Sequence, residues 1–479
     1  MSLTRRSFAG AAATAALQPL SSQQERWNVI FMLTDDHGEW ALGPWGCSEI
    51  HTPNIARLAK EGIRFTQAFA STPVCSPSRM TYMTGKLPSQ HGVHDFLMQE
   101  DTRATRQFLV GHNPMSQVLA SNGYATGVSG KWHMGDDVHP QAGFQFWRCS
   151  PGGGGRYKDP DFSIDGKPIV VPGYKTALTA DYALEFIEAN RSRPFFLYVP
   201  FNAPHTPFDY QPEADRAHYN GSSFSCFPEG PRHPQRRDSF EKMHANRETK
   251  TSYSALVTGV DVAVGRILRK LEDLKIREKT IVILSADQGW NAGHHGFWGK
   301  GNGTIPFNLY EESIRVPLIW SQPGHIPADR LMDPLVSSYD LYPTLLDYLG
   351  VKTEPDRQRP GTSYAPFLRG QSPAWRSELF FEYCNTRGVR SRTWKYIERG
   401  DNWPSELYDM ASDPRETVNR IGDKTGKDAL ATLRPKLRSF FDSLGSPPID
   451  EWRKTARAAI PLDAKYYDDW WKRTAPARP

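Results

Sequence analysis

Residues 27–36 read WNVIFMLTDD. The apolar, β-favouring run from Trp27 to Leu33 stops abruptly at Thr34-Asp35-Asp36, which reads as a buried strand ending on two carboxylates. The same form recurs along the chain. Phe195 to Val199 (FFLYV) stops before Asn202 and His205, and Thr280 to Leu284 (TIVIL) stops at Ser285-Ala286-Asp287-Gln288. A weaker run, 123–128 (GYATGV), leads to Gly130-Lys131-Trp132-His133. Helical patterns over 53–62, 114–122, 176–190 and 253–275 lie between these runs. The alternation predicts an α/β fold, a large domain with a mostly parallel mixed sheet flanked by helices. Ligands bind such sheets beyond the carboxyl ends of the strands, where the carboxylates, a lysine and the histidines collect.

The whole chain is consistent with that frame. Its 479 residues can build a substantial core without disulfide or metal staples. Hydrophobic residues at 38% and charged residues at 23% exclude a disordered or collagen-like chain. No apolar stretch reaches the roughly eighteen residues of a membrane-spanning helix, so no transmembrane segment is expected. A net charge of +5 without a basic block argues against nucleic acid as a partner. Cysteines stand at 47, 75, 149, 226 and 384, with no CxxC pair, which disfavours zinc ribbons and thioredoxin chemistry. An odd count leaves at least one free thiol, and the disulfide state of Cys47, Cys149, Cys226 and Cys384 stays open.

Arg5 and Arg6 precede Phe8 and a run of small residues, so residues 1–24 resemble a twin-arginine export signal. The expected location is therefore outside the cytoplasm, periplasmic or extracellular. Residues 25–369 are expected to form the catalytic α/β domain. A turn-rich stretch over 351–375 precedes Leu379–Tyr383, Gly388–Val389 and Trp394–Ile397, spaced like a small antiparallel sheet. Residues 370–479 are expected to form a C-terminal α+β subdomain and a tail with Trp452, Trp470 and Trp471. The Gly152–Gly155 run reads as a flexible loop, since no phosphate-binding pattern surrounds it.

Residues 75–85 read CSPSRMTYMTG. Ser76 is placed to cap a helix whose first turn begins at Pro77. Cys75 would face the positive end of that helix, with Arg79 one turn on, a place that favours an anion. On these grounds alone Cys75 is either an activated thiolate nucleophile or an inert cysteine in a helix-entry turn. Asp35, Asp36 and Asp287 are hard oxygen ligands, suited to calcium rather than zinc, and three such carboxylates at strand ends would repel without a cation.

Here the sequence resembles the formylglycine-dependent (type I) sulfatases of the alkaline phosphatase superfamily. Cys75, Pro77, Ser78, Arg79, Thr84 and Gly85 match the first signature of that family, C-x-P-S-R with a following T-G. Gly123, Tyr124, Gly130, Lys131, Trp132 and His133 match the second. Asp35-Asp36, Ala203-Pro204-His205, Asp287, Gly299-Lys300 and the ELYDMASDPRETVN segment also match, so the resemblance runs from about residue 26 to about 420.

The resemblance implies a sulfuric ester hydrolase. Cys75 would be converted to Cα-formylglycine (3-oxoalanine) by a formylglycine-generating maturation enzyme, and the hydrated aldehyde would be the nucleophile. Asp35, Asp36, residue 75, Asp287 and Gln288 would hold Ca2+; many relatives carry Asn where Gln288 stands here. Asp287 would accept the proton of the attacking hydroxyl, and Arg79 and Lys131 would hold the diol. Lys131, His205 and Lys300 would bind sulfate, with His205 or Lys300 protonating the departing alcohol. His133 would take the second diol proton and restore the aldehyde. His91, Trp290, His294, His295 and Trp298 lie in family-like segments and are candidate substrate contacts. The expected substrate is a sulfated carbohydrate, a polysaccharide or glycosaminoglycan fragment. The alternatives are a phosphonate monoester or phosphodiester hydrolase of the same superfamily and, more remotely, a non-catalytic carbohydrate-binding relative.

Overall fold

The computed structural model describes residues 26–98, 105–237, 243, 246–353 and 356–458. The export signal read at 1–24 and the tail tryptophans Trp470 and Trp471 lie outside the described residues.

The apolar run from Trp27 to Leu33 forms the strand Asn28–Thr34, buried over its whole length. It sits near the middle of a ten-stranded sheet. Thr280–Ala286 and Phe195–Pro200 flank it in parallel, followed on one side by Ala125–Lys131 and Phe146–Ser150, also parallel. Leu318–Ser321 pairs antiparallel with Thr280–Ala286, and the hairpin Asp161–Ile164 and Lys167–Val170 closes the other side. The sheet is thus mixed and mostly parallel, as the alternating pattern predicts. Val29, Phe31 and Leu33 point to one face, against Met80 and Met83; Ile30 and Met32 point to the other, against the helix Arg247–Asp273. Burial of both faces explains why these strands read as unbroken apolar runs. The long helix begins at an N-cap, Asn246, whose side chain accepts from the Glu248 and Thr249 N–H groups. None of the helices among the described residues is long and apolar enough to cross a membrane.

Register places the chemistry. Thr34 lies beside Ala286, and the Asp287 N–H donates to the Thr34 carbonyl at 2.9 Å, so Asp35-Asp36 and Asp287-Gln288 leave the sheet together. The weak run at 123–128 becomes a strand that extends to Lys131, which puts the lysine at the strand's last position. Its Gly130 has φ +128°, and a Cβ there would fall 2.0 Å from the Pro200 carbonyl oxygen, so close strand packing requires glycine.

The C-terminal part is a separate four-stranded antiparallel sheet, Glu378–Tyr383, Thr386–Ser391, Trp394–Arg399 and Glu406–Asp409, covered by the helix Lys427–Ser443. It shares a hydrophobic cluster with Phe69, Leu309 and Ile314 of the large domain. A buried charge network crosses the same boundary. Lys395 Nζ donates to the Leu309 carbonyl at 2.8 Å and to Glu311 Oε1 at 2.9 Å, and it pairs with Glu416. Arg390 pairs with Glu311 at 3.0 Å, and the Glu416 carboxylate accepts the Glu311 N–H at 2.7 Å. Removing one partner of a buried pair leaves a charge without compensation. Lys395→Met is therefore expected to cost about 3–5 kcal/mol in urea-induced unfolding; a loss below about 1 kcal/mol would show that the network does not hold the small sheet in place.

Candidate active site

The helix after the short strand Ala68–Phe69 runs Cys75–Thr84 and is buried throughout. It starts two residues before the expected position. Val74 occupies the N-cap without a side-chain bond, and Ser76 lies inside the first turn, where its hydroxyl accepts the Leu97 N–H at 3.0 Å. Cys75 therefore opens the helix, beside Lys131, Lys300, Asp35 and Asp287, and burial pushes its thiol up. That disfavours the thiolate reading of the unmodified side chain.

Below Cys75 three carboxylates meet three cations. Arg79 Nε and Nη2 contact Asp287 Oδ2 at 2.9 and 2.8 Å, and Nη2 is 3.4 Å from Asp35 Oδ2. Arg79 Nη1 donates to the Lys131 carbonyl at 2.8 Å, which fixes the lysine's backbone to the same cluster. Lys131 Nζ pairs with Asp35 Oδ2. Lys300 Nζ donates to Asp36 Oδ1 at 2.6 Å. Burial opposes the charge on Asp35, but Lys131, His205, Lys300 and Arg79 outweigh it and hold the carboxyl well below its usual range. For Asp287, burial and the Asp35 charge prevail over Arg79, Lys131 and Lys300, and its carboxyl rises to about 7.

Gln288 Nε2 donates to Asp36 Oδ1 at 2.7 Å and to Asp35 Oδ1 at 3.2 Å, while its buried Oε1 has no hydrogen-bond partner. Ligand atoms of Asp35, Asp36 and His205 lie within 4.8 Å of one another. An amide oxygen left without a partner beside three carboxylates fits a hard cation, and the oxygen-rich donor set suits calcium.

Two histidines face this floor. His133 has φ +57°, an uncommon backbone position held by an Asp137 Oδ1 bond to its N–H at 3.0 Å. Its Nε2 lies 3.0 Å from the Leu97 carbonyl, which assigns the ring proton to Nε2 and leaves the buried Nδ1 as an unpartnered acceptor. Burial, reinforced by Lys131, keeps this ring neutral. His205 bonds the Thr206 carbonyl through Nδ1 and approaches Asp36 Oδ2 at 3.6 Å through Nε2. Burial lowers its pKa despite Asp36 and Asp35.

A cavity of about 410 Å³ opens above, reached by Asp36, Cys75, His133, His205 and Lys300. Phe96, Leu97, Met98, Trp290, Arg237 and Asn302 form its walls. Of the candidate substrate contacts, Trp290 lines this cavity and four others lie elsewhere. His91 is buried against Thr81 and Val93. His294 packs on Trp40, and His295 stacks on Tyr310 and bonds Glu312 at 2.8 Å. Trp298 packs in the core against Phe227 and Tyr253. His294 and His295 line a second cavity, of about 630 Å³, and membership of a family-like segment does not separate packing residues from pocket residues. The glycine run is not the free loop that its composition suggested. Gly153 stands in the cavity wall, where a Cβ would fall 2.6 Å from the His133 ring. The Gly152 N–H donates to Asp137 Oδ2 at 2.6 Å, and Lys175 Nζ donates to the Gly154 carbonyl at 3.1 Å. Asp137, four residues beyond His133, ties that histidine to this loop and carries no signal in the sequence. Arg237 and Asn302 had no sequence signal.

The sequence model of the Sulfatase family matches residues 27–351, and that of the N-sulphoglucosamine sulphohydrolase C-terminal region matches 293–442. The N-acetylglucosamine-6-O-sulfatase of Bacteroides thetaiotaomicron is 28% identical over 89% of this chain and 88% of its own. The N-acetylgalactosamine-6-sulfatase of Sus scrofa is 31% identical over 76% of this chain and 68% of its own. A structure solved in complex with its substrate, D-glucosamine-2-N,6-O-disulfate, is similar with a TM-score of 0.77 and 27% identity, over 89% of this chain and 99% of that one.

The donor set of Asp35, Asp36, Asp287 and Gln288 generates a binding expectation that needs no substrate. Calcium at a hundred-fold excess over its Kd is expected to add about 2.7 kcal/mol and raise Tm by several degrees. Gln288→Leu is expected to shrink that rise. A Tm and a titration calorimetry trace that ignore calcium would remove the cation from this site.

Proposed function

The chain belongs to the sulfatase family of the alkaline phosphatase superfamily, and from that premise we propose that it is an exported hydrolase of O-sulfate esters on a carbohydrate. The observation that carries this reading is the convergence of Cys75, Lys300, His133 and His205 on one cavity above a buried carboxylate floor. The twin-arginine-like leader supports export, and the carbohydrate substrates named for the relatives support a sugar. A catalytic domain over 25–369 followed by a subdomain from 370 is the matching division of the chain.

Converted to formylglycine, Cys75 supplies a hydrated aldehyde as nucleophile, and calcium, when bound, draws charge from sulfate oxygens. Asp35, Asp36, residue 75, Asp287 and Gln288 would hold the cation. Arg79, locked between Asp287 and the Lys131 carbonyl, orients the floor and keeps its charge close to residue 75. Asp287 accepts the proton of the attacking hydroxyl. Lys131 and Lys300 present fixed positive charge to the sulfate oxygens, where it stabilises the transition state without reorganisation. His205, its Nδ1–H donating to the Thr206 carbonyl, would act as acid toward the leaving alcohol only once Nε2 is protonated too, and Lys300 Nζ, held beside Asp36, is the alternative proton donor. His133 Nδ1, neutral and unpartnered, takes a proton from the hydroxyl that remains on residue 75, which releases sulfate.

Mature protein carrying formylglycine at residue 75, confirmed by peptide mass, is expected to desulfate at least one member of a panel of defined sulfated mono- and oligosaccharides. On matched aryl esters it is expected to hydrolyse the sulfate faster than the phosphodiester. Cys75→Ser is expected to lose more than about a thousand-fold in kcat, since serine cannot form the hydrate. Full sulfatase turnover by the serine variant would sink the formylglycine mechanism, and a fully converted protein inert on every sulfated sugar would sink the carbohydrate reading.

A further inference from the structure

We propose that Cys47 and Cys226 close a disulfide in the folded chain, and that this cross-link braces the layer of aromatic side chains behind the cavity over Cys75. The two Sγ atoms stand 2.7 Å apart, between the covalent bond of about 2.05 Å and ordinary non-bonded contact. They come from segments 179 residues apart in sequence. Cys47 follows the short helical turn Gly43–Trp45, on the stretch of chain that leaves Asp35-Asp36, and Cys226 lies beyond the helix Glu213–Ala217.

Other contacts already clasp the two segments, so closing the bond moves two sulfurs and not the fold. Glu49 accepts from the Ser223 and Ser225 hydroxyls at 2.6 and 2.8 Å and from the Cys226 N–H at 3.1 Å. The His51 N–H donates to the Tyr219 hydroxyl at 3.2 Å, and the His51 ring stacks on His218 with centroids 4.1 Å apart. Tyr219 in turn donates to the Ser254 carbonyl at 3.0 Å, which ties the clasp to the long helix Arg247–Asp273.

The remaining cysteines are placed differently. Cys75 belongs to the proposed active site. Cys149 lies within the strand Phe146–Ser150, and Cys384 directly follows Glu378–Tyr383; both are fully buried, and burial pushes both thiols well up. The Cys384 thiol donates to the His94 carbonyl at 3.3 Å. Cys226 is half-buried, which gives a small oxidant access to the pair. Its thiol also leads the causes that bring Cys47 down to about 7, so the pair carries a thiolate near neutral pH. That thiolate attacks a small disulfide oxidant and releases one thiol. The other cysteine gives up its proton, attacks the protein sulfur of the mixed disulfide and releases the second thiol. Two protein thiols are thereby oxidised as one oxidant disulfide is reduced, and both protons leave on the released thiols.

The position of the bond gives it a use. Phe227, next to Cys226, packs edge-on against Trp40 and stacks on Trp298. Trp40 donates from Nε1 to the Trp290 carbonyl at 2.8 Å, and Trp290 lines the cavity. Phe227 also packs edge-on against Tyr253, whose hydroxyl donates to the Asp36 carbonyl at 3.0 Å. A covalent tie at Cys226 therefore fixes the ring that backs both Asp36 and Trp290. A cross-link across so long a stretch of chain also removes many conformations from the unfolded state, which raises the stability of the folded one.

Full chain equilibrated with glutathione disulfide and then denatured in N-ethylmaleimide is expected to yield one linked peptide pair, 47 with 226, while Cys149 and Cys384 carry the label. Label on both Cys47 and Cys226, glutathione retained on either, or linkage of either to another cysteine overturns the disulfide. The oxidised chain is expected to melt several degrees above the same chain held in dithiothreitol, whereas the Cys226→Ser variant is expected to melt alike under both conditions. A melting temperature of the wild type that ignores dithiothreitol overturns the brace.

Discussion

Three carboxylates brought together at the ends of two adjacent parallel strands are the constraint on which the rest of this molecule depends. Asp35, Asp36 and Asp287 have no solvent to spread their charge, so the fold must surround them with cations. Each cation comes from a different element: Arg79 from a helix, Lys131 from the end of a strand, Lys300 from a loop. The arrangement is costly to assemble, since buried ions lose hydration that pairing only partly restores. It is also rigid, because no member can move without exposing another's charge. Rigidity of this kind is what a site needs when it stabilises charge by preorganised groups rather than by rearranging.

The local backbone follows from the same demand. Asp36 and His133 both adopt positive φ, at 59° and 57°, which side-chain-bearing residues rarely do and which costs of order 1–3 kcal/mol each. Both are held from outside the site. Tyr253 donates to the Asp36 carbonyl at 3.0 Å, and Asp137 holds the His133 N–H. Beyond them the small sheet braces the large domain through Lys395, Arg390, Glu311 and Glu416, with opposite charges alternating in a buried interface.

Much of this was legible in the sequence because parallel strands buried on both faces leave unbroken apolar runs, and polar residues that follow such runs must lie at one edge of the sheet. That logic located Asp35, Asp36, Asp287, Gln288 and His205, and motif resemblance added Cys75, Arg79, Lys131, His133 and Lys300. The walls were not legible. Gly153, Arg237 and Asn302 reach the cavity through loops whose course depends on contacts far along the chain, and neither periodicity nor turn chemistry records those contacts. His294, His295 and Trp298 lie away from the cavity over Cys75, His294 and His295 in the lining of a second cavity and Trp298 in the core: an aromatic ring that packs and one that faces a cavity leave the same mark in a sequence. Serine before proline is a strong cap pattern, yet the helix starts at Cys75 and the Leu97 N–H claims the Ser76 hydroxyl.

The burial of Cys75 carries a consequence in time rather than in space. The side chain is 3% exposed at the buried start of a helix that the core encloses on all sides. An enzyme that oxidised it to an aldehyde, as proposed, would have to grip the surrounding backbone, which the folded chain withholds. Under the proposed formylglycine reading, conversion would belong to the interval before the central sheet closes over residues 75–84, and a chain that folded first would forgo its nucleophile. On that reading the working site would be set by a race between two processes during synthesis, and the population of active molecules would record which one finished first.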